Sequence, residues 1–388
     1  MIDVIVPVYR GVAETRACLE SVLDHPQKSA FELVAIDDAS PEAPISAHLD
    51  ALASEGRLTL LRNDANAGFV RSANRGMALH PDRDVVLLNS DAEVANDWLD
   101  RLAAAAYRAD DIATVTPFSN NATICSYPFE GWQGGVPGVL GLQGLDRVFA
   151  TANAGRTVEL PTAVGFCMYV RRAALDAVGL FDEERYGRGY GEENDFCMRS
   201  AKAGWRHLLA GDVFVFHEGS VSFSDERFAL TQEAGRKLVE VHPDYPQRVH
   251  DFLVADPAAP LRAAVDEART ATGLEEGRRV LAERAEERSR VMRGLWEIER
   301  LAGERDSIIG QLNRGLEHAT QYLAERDRQI ARREAEIAAL RAGLAYAEDL
   351  AFAREAEIAR IHGSRTWRLL HFFSVARRYL LRRLGNVS

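Results

Sequence analysis

The sequence predicts an α/β fold with a mostly parallel sheet, followed by a long α-helical region. The first hundred residues alternate short apolar runs with stretches at helical spacing, which is typical of parallel strands joined by helices that cover both faces of the sheet. Polar side chains follow three of these runs, at Tyr9, Asp37–Asp38 and Asn89–Asp91. Since ligands of such sheets bind beyond the carboxyl ends of the strands, we expect these side chains to meet in one crevice.

The elements follow in order along the chain. The apolar runs predicted as strands are residues 3–9, 31–36, 58–62 and 84–88, and the helical stretches between them are residues 15–23, 45–55 and 70–79. From Phe118 to Pro161 the chain is rich in Gly, Pro, Asn and aromatic residues. That composition predicts long loops with little regular structure, and such loops in a compact domain are usually functional. A second compact segment is expected from Val164 to Phe223.

Composition shifts predict four regions. Residues 1–255 are expected to form one large domain, and 256–273, with two prolines and many alanines, a linker. Residues 274–361 are expected to form a helical coiled coil and 362–388 a basic, aromatic, amphipathic tail. In the third region apolar residues recur at unbroken sevenfold spacing: Leu295, Ala302, Ile309, Leu316, Leu323, Ile330, Ile337, Leu344, Ala351 and Ile358.

The companion core position of this heptad is mixed, because isoleucines and leucines alternate there with arginines. A sustained heptad with one good seam favours an imperfect coiled coil and a homo-oligomer. A single charged helix packed on its own domain is the alternative. The tail has no acid after Glu357 and gathers arginines beside aromatic residues, which is typical of a segment at an anionic membrane surface. A solvated helix end, or a tail that pairs with acids on another copy, is the alternative there.

Charge and cysteine usage exclude some classes of protein. The formal net charge of −11 argues against nucleic acid as a partner, which requires a basic footprint. The four cysteines are far apart without C-x-x-C spacing, so we expect buried thiols in a reducing compartment rather than disulfides or a zinc site. The sequence has neither a signal-like start nor an uncharged apolar stretch of membrane-spanning length. A cytoplasmic protein is expected, with peripheral contact at the inner face of the cell membrane through the tail.

Two groups of side chains fit the binding of a nucleoside diphosphate. A carboxylate such as Asp38 can accept the N3–H of uracil or thymine, while an aromatic face such as Tyr9 stacks on the base. The alternative for Asp37–Asp38 is a turn and helix cap. Asp91 follows a buried strand and His217 follows the apolar run 213–216, so the two side chains could hold a hard divalent cation against the diphosphate. A lone histidine is otherwise an ordinary core or surface residue.

A third group fits the removal of a proton. Glu192, Glu193 and Asp195 follow a glycine-rich stretch and an aromatic residue at what looks like a helix start. Crowded, partly desolvated carboxylates have raised pKa values, which suits a general base. Acids that merely compensate the helix dipole are the alternative reading.

In this order the motifs resemble those of family-2 glycosyltransferases, an inverting family with the Rossmann-like GT-A fold. The matching stretches are residues 4–9, 35–40, 66–74, 87–91, 165–167, 192–195 with Arg199, and His217. The resemblance covers about residues 2–224.

The resemblance implies roles for individual residues. Pro7, Tyr9 and Asp38 would hold the nucleoside, and Arg71 and Asn74 would lie along the ribose and diphosphate. Residues 89–91 stand where the family has Asp-x-Asp, so Asp91 would bind the metal, Mn²⁺ or Mg²⁺, with His217 as a second ligand. Asn89 replaces the first acid of that motif. Within the acid cluster Glu193 is the expected base, Glu192 and Asp195 would orient the acceptor, and Asp195 is the rival base.

The expected activity is therefore the inverting transfer of a sugar from a nucleoside diphosphate, of uridine or thymidine type, to a hydroxyl of a glycan or lipid-linked glycan in surface polysaccharide biosynthesis. Guanosine donors remain an alternative. The loops between Phe118 and Pro161 would read the acceptor. A non-catalytic GT-A scaffold that organises an assembly through its coiled coil is the alternative in another class. A dinucleotide-binding oxidoreductase is not favoured, because no G-x-G-x-x-G follows the first strand.

Overall fold

The structure, a computed structural model, describes residues 1–187, 189–219 and 226–352. It divides into two compact units, Met1–Met292 and a second unit that begins at Arg293. The strands of the described residues are β1 Ile2–Val8, β2 Phe31–Asp37, β3 Thr59–Arg62, β4 Asp84–Leu88, β5 Ala92–Glu93, β6 Ile112–Ser119, β7 Thr157–Leu160, β8 Cys167–Val170 and β9 Arg206–His217.

The helices of the described residues connect and cover these strands. They are α1 Val12–Asp24, α2 Ala43–Ser54, α3 Phe69–Met77, α4 Trp98–Ala106, α5 Gly141–Ala152, α6 Arg172–Val178, α7 Glu183–Tyr186, α8 Glu192–Lys202, α9 Glu226–Val241, α10 Tyr245–Ala255, α11 Ala259–Ala271 and α12 Leu274–Phe352, with a short 3-10 turn at Thr123–Cys125.

The strands form one mixed sheet in the order β3-β2-β1-β4-β8-β6-β9-β5, and β7 also pairs with β9. Strands β1 to β4 are parallel to one another, as the alternation of strands and helices predicts. Strand β8 runs antiparallel between β4 and β6, whereas β6 and β9 are parallel. Strand β5 pairs antiparallel with the end of β9, so that Ala92 lies opposite His217. The α/β class expected from the sequence is therefore confirmed.

The core lies on both faces of this sheet, because successive side chains of a strand point to opposite sides. Val4, Val6 and Val8 of β1 belong to one buried cluster. Ile5, between them, belongs to a second cluster on the other face. Burial on both faces explains why the run reads as continuously apolar rather than alternating. It also fixes the strand ends, and with them the side chains that follow each strand.

Two segments are more regular than their composition suggests. Within residues 118–161 the chain forms α5 and β7, and Leu145 and Phe149 of α5 are fully buried at helical spacing. The segment 256–273, expected to be a linker, contains α11, whose Leu261 and Val265 belong to the main core. Proline is tolerated in the first turn of a helix, so Pro260 begins α11 instead of interrupting it. Tertiary packing outweighs the loop-like composition in both segments.

The long helix α12 begins at Leu274, as expected. Its heptad side chains are exposed in the single chain: Leu295, Ile309, Leu316, Leu323, Ile330 and Ile337. The last heptad position, Ile358, and the basic tail 362–388 lie outside the described residues. In the part of the chain that the structure describes, no helix is both long and apolar enough to cross a bilayer.

Candidate functional site

A cavity of about 1420 Å³ opens at the carboxyl edge of the sheet. Eight of the residues singled out in the sequence line it: Pro7, Tyr9, Asp38, Asn89, Asp91, Glu192, Glu193 and His217. They come from the ends of β1, β2, β4 and β9 and from the start of α8. The fold thus brings together candidates for base binding, cation binding and proton removal. Arg71, Asn74 and Asp195 do not belong to this lining.

Asp38 is buried at the end of β2, and its carboxylate organises the loop before α3. One oxygen accepts hydrogen bonds from the Asn63 side chain at 2.7 Å and the Ala67 amide at 2.8 Å, and the other accepts from the Gly68 amide at 2.9 Å. A carboxylate offers about four acceptor positions, so one remains for a ligand. The Tyr9 ring lies in the same lining and carries the Arg10 guanidinium 5.3 Å from its centroid.

Asp91 and His217 face each other in the cavity. The Nε2 atom of His217 lies 3.4 Å from Oδ1 of Asp91, and both side chains are largely but not fully buried. The second oxygen of Asp91 accepts the Gly219 amide at 3.1 Å. Burial works to raise the pKa of Asp91, but the hydrogen bond and charge of His217 and the Gly219 amide outweigh it. The pKa of Asp91 is therefore lowered, and the carboxylate is ionised at neutral pH.

The contacts of His217 assign separate roles to its two ring nitrogens. Its Nδ1 lies 2.7 Å from the carbonyl oxygen of Asn121, a pure acceptor, so Nδ1 carries the hydrogen. Nε2 faces Oδ1 of Asp91 and the side-chain amide of Asn89, whose Nδ2 lies 3.4 Å away, and it is the ring nitrogen that could ligate a cation. The ring is also stacked on Phe166 with centroids 5.2 Å apart. This is the arrangement of a metal-binding histidine, whose other ring nitrogen is held by a backbone carbonyl.

Glu192 and Glu193 begin α8 inside the cavity. Glu192 is 5% exposed, and its Oε2 has no hydrogen-bond partner among the described residues. Burial and the charge of Glu193 raise the pKa of Glu192 well above its ordinary value. Burial also raises the pKa of Glu193, although nearby amides and the Asn194 side chain oppose the shift. Raised carboxyl pKa values in a cavity suit proton transfer near neutral pH.

Asp195 is placed differently from its two neighbours. It is 1% exposed, and Arg199 and His242 each occupy one of its oxygens, at 2.7 and 2.8 Å. Nδ1 of His242 in turn lies 2.8 Å from the ammonium group of Lys202. This cluster ties the end of α9 to α8. Nothing local in the sequence connects Asp195 with a histidine 47 positions later, so the pairing was not foreseen.

Arg71 and Asn74 lie on α3 outside the cavity lining. The Asn74 side chain is buried and bonds the backbone of Phe181 in both directions, at 2.9 and 3.0 Å. It also donates to Glu183, which lies 3.5 Å from the exposed Arg71 guanidinium. In this structure the two residues fasten α3 to α7. Their roles along a ribose and diphosphate stay predictions.

Asn120 and Asn121, which no sequence motif singles out, hold His217 in place. Asn120 is fully buried, donates to the His217 carbonyl at 2.9 Å and accepts the His217 amide at 2.8 Å. Asn121 supplies the carbonyl to the ring. The paired asparagines after the buried strand β6 were the available signal, because polar residues at that strand end fall at the same sheet edge.

A cluster of Asp3, Glu32 and His80 also has the composition of a metal site. It lies at the opposite end of the sheet, since Asp3 and Glu32 stand near the starts of β1 and β2. The Arg83 guanidinium already lies 2.9 Å from Asp3 and 2.6 Å from Glu32. Because the positive charge of Arg83 balances the two carboxylates, the cluster is an ion-pair network that ties the segment after α3 to the sheet.

The fold and the cavity define the first unit as an α/β domain with a large cavity at the carboxyl edge of a mixed sheet. Residues 3–179 match the family Glycosyl transferase family 2. The match covers the stretch that carries most of the motifs, from the first strand to beyond residues 165–167, and it agrees with the resemblance those motifs show.

Individual proteins are similar over parts of the chain. An uncharacterized protein, y4gI, of Sinorhizobium fredii is 26% identical over 272 residues, which are 66% of this chain and 28% of that protein. N-acetylgalactosaminyltransferase 7 of Drosophila melanogaster is 29% identical over 108 residues, 27% of this chain and 18% of that protein. The chain thus spans less than a third of either curated relative. A crystal structure of GalNAc-T7 with UDP, GalNAc and Mn²⁺ superposes with a TM-score of 0.49 at 19% identity, covering 69% of this chain and 54% of that chain.

Proposed function

We propose that the protein is an inverting, metal-dependent glycosyltransferase. It moves a sugar from a nucleoside diphosphate, of UDP or dTDP type, to a hydroxyl of a glycan or lipid-linked glycan during surface polysaccharide biosynthesis. One observation carries the proposal. A single cavity of a domain that matches family 2 unites an aspartate–histidine pair with the buried Glu192 and the half-buried Glu193, next to the strand ends where the nucleoside is expected.

The nucleoside would lie over β1 and β2. The Tyr9 ring offers a stacking face, and the remaining acceptor position of Asp38 suits the N3–H of uracil or thymine. The same position could accept the N1–H or N2–H of guanine, so guanosine donors remain the alternative. Pro7 belongs to the same lining and has no amide hydrogen that would compete for Asp38.

The diphosphate requires a cation here. Among the described lining residues, five carboxyl groups stand against two guanidinium groups: Asp38, Asp91, Glu130, Glu192 and Glu193 against Arg10 and Arg290. Asp91 and Nε2 of His217, once its proton is displaced, would offer one oxygen and one nitrogen ligand, which suits Mn²⁺ or Mg²⁺ with the diphosphate and water as further ligands. When bound, the cation would neutralise the charge that develops on the leaving diphosphate.

Glu193 is the favoured base. It lines the cavity, its pKa is raised by burial, and its one described side-chain partner is Asn194 at 3.3 Å. The acceptor hydroxyl would give its proton to Glu193 while its oxygen bonds to the anomeric carbon. The bond from that carbon to the diphosphate oxygen breaks on the opposite side, so the configuration inverts. Asp195 is a weaker candidate, because Arg199 and His242 already occupy its oxygens.

Glu192 would orient the acceptor. Its side chain belongs to the cavity lining, and its Oε2 has no partner within the described part of the chain. A carboxyl group with a raised pKa can donate a hydrogen bond to a sugar hydroxyl as well as accept one. A cavity of about 1420 Å³ exceeds the usual size of a small-ligand site. The excess leaves room for an acceptor beside the donor.

A second copy of the chain is the proposed partner of α12. Its seam of exposed leucines and isoleucines repeats every seven residues, and burying such a seam against another helix stabilises both.

The direct test is turnover with purified full-length protein, Mn²⁺, a panel of nucleotide-sugars and oligosaccharide acceptors, with the product anomer determined by NMR. We expect an inverted product, and Glu193→Gln should lower kcat roughly 10²- to 10⁴-fold while donor affinity is kept. Glu184→Gln, at an exposed acid outside this cavity, is the matched control. A retained anomeric configuration, or full turnover by Glu193→Gln, would refute the proposed mechanism.

A further inference from the structure

The loop that borders the cavity after β6 is fastened at both ends. This cavity loop, residues 120–134, supplies part of the lining: Asn121, Ala122, Thr123, Ile124, Glu130, Gly131 and Gln133. At its first end Asn120 and Asn121 hold the backbone and ring of His217, as described above. Asn120 also donates to the Gly134 carbonyl at 2.6 Å, so the same buried amide closes the loop on itself.

The other attachment comes from the first turns of α12. The Arg290 guanidinium donates to the Gly131 carbonyl at 2.6 Å and itself lines the cavity. Gly131 has a positive φ of 65°, and a Cβ added there would lie 3.2 Å from Arg290. The Gly131 amide donates to the Thr123 carbonyl at 3.0 Å. Both polar groups of this peptide position are therefore engaged, one within the loop and one with the helix.

A buried ion-pair network attaches the N-terminal part of α12 to α11 and to the cavity loop. Arg269 of α11 is fully buried between Glu276 and Glu283 of α12, at 2.5 and 2.6 Å. It also donates to the Tyr127 hydroxyl within the loop at 2.8 Å. Breaking a buried ion pair destabilises the folded state, because it leaves an uncompensated buried charge. The network thus holds the start of α12 against the loop.

We propose that Arg290 is a positioning residue that holds the cavity loop in the conformation in which Asn121 orients the His217 ring. The inference rests on the proposed metal role of His217. A chain of contacts carries it: Arg290 bonds Gly131, Gly131 bonds Thr123, and Asn121, two positions before Thr123, bonds Nδ1 of His217. Losing the first contact loosens the loop, and the ring then presents its Nε2 lone pair to a cation in a smaller fraction of molecules.

The test compares Arg290→Ala with Arg288→Ala in full-length protein. Arg288 is an exposed arginine two positions away on the same helix, so both variants lose the same charge. Backbone hydrogen exchange of peptides that cover residues 120–134 is measured, together with Mn²⁺ affinity by calorimetry. For Arg290→Ala we expect faster exchange in the loop and roughly 3- to 10-fold weaker Mn²⁺ binding. This range corresponds to the loss of one charge-assisted hydrogen bond at a partly exposed site.

Arg290→Lys should recover part of both effects, because lysine can still donate to the Gly131 carbonyl. Unchanged loop exchange in Arg290→Ala would overturn the anchoring, and faster exchange with unchanged Mn²⁺ affinity would overturn the link to His217. An equal effect of Arg288→Ala would overturn both, because it would reduce them to net charge. Wild-type protein that does not bind Mn²⁺ would refute the proposed metal site, and hydrogen exchange would still decide whether Arg290 anchors the loop.

Discussion

Replacing Asp195 with Asn separates a structural from a catalytic role within the acid cluster. The carboxylate is 1% exposed and bonded to Arg199 and His242. The asparagine side chain would be isosteric but uncharged, and its NH₂ group would face a donor. Breaking a buried ion pair costs about 3–5 kcal/mol. We take about 3 kcal/mol, because Arg199 is partly exposed.

For a unit the size of Met1–Met292, each kcal/mol shifts the midpoint of thermal unfolding by about 2 °C, so Asp195→Asn should lower Tm by about 6 °C. At about 20 °C below that midpoint, where the variant is folded, its kcat should stay within about tenfold of wild type. Differential scanning fluorimetry and initial rates measure the two quantities. Asp24→Asn, at an exposed helix end, is the control and should change Tm by less than about 1 °C. An unchanged Tm with a kcat loss of roughly 10² or more would refute the reasoning and make Asp195 the base.

Three further predictions follow from the site and the long helix. Asp91→Ala should abolish Mn²⁺-dependent donor binding, measured by calorimetry, because it removes the ionised ligand, while the circular dichroism spectrum stays that of wild type. Glu192→Gln should raise thermal stability at about pH 8 and lose this advantage towards about pH 5. The pKa of Glu192 is raised by burial and by Glu193, so the folded state loses stability as pH rises from the ordinary value towards the raised one, and Gln removes that loss. Leu316→Glu, in the exposed seam, should convert an oligomer to a monomer in light scattering, since a charge in a coiled-coil core is not accommodated.

Each of these predictions has an outcome that would contradict it. Metal-dependent donor binding by Asp91→Ala would place the cation elsewhere. A stability difference for Glu192→Gln that stays constant between the two pH values would mean that Glu192 titrates normally. An unchanged mass of Leu316→Glu, or a monomeric wild-type protein, would remove the second copy as the partner of α12. Glu317→Gln, a neighbouring exposed position, is the control for the last variant.

Much of the fold could be predicted from the sequence, because the strands and helices follow from the local spacing of apolar residues. The strand ends at Tyr9, Asp38 and Asp91 follow from uninterrupted apolar runs, and β1 to β4 formed as the alternation predicts. Helices α5 and α11 were not readable, because their composition resembles loop and linker. What makes them helical is burial of Leu145, Phe149 and Leu261 in a core shared with strands far away in sequence.

The same division applies to the site. His217 could be singled out, since it ends an apolar run and polar residues at strand ends share one edge of the sheet. The orientation of its ring could not be predicted, because it depends on a carbonyl 96 positions earlier in the chain. Asp195 looked equivalent to Glu193 in the sequence. Only the folded chain brings His242 to Asp195 and leaves Glu193 facing the cavity, so the difference lies in tertiary contacts rather than in the motif.

The measurement that tests the central claim most directly is thermal stabilisation of the full-length protein by nucleotide-sugars, with and without Mn²⁺. Binding to the folded state raises the midpoint by an amount set by ligand concentration over Kd. We expect a uridine or thymidine diphosphate sugar to stabilise the wild type in the presence of Mn²⁺, and Asp91→Ala and His217→Ala to lose this effect. Equal stabilisation with and without the metal, or its survival in both variants, would contradict a donor site built on this pair.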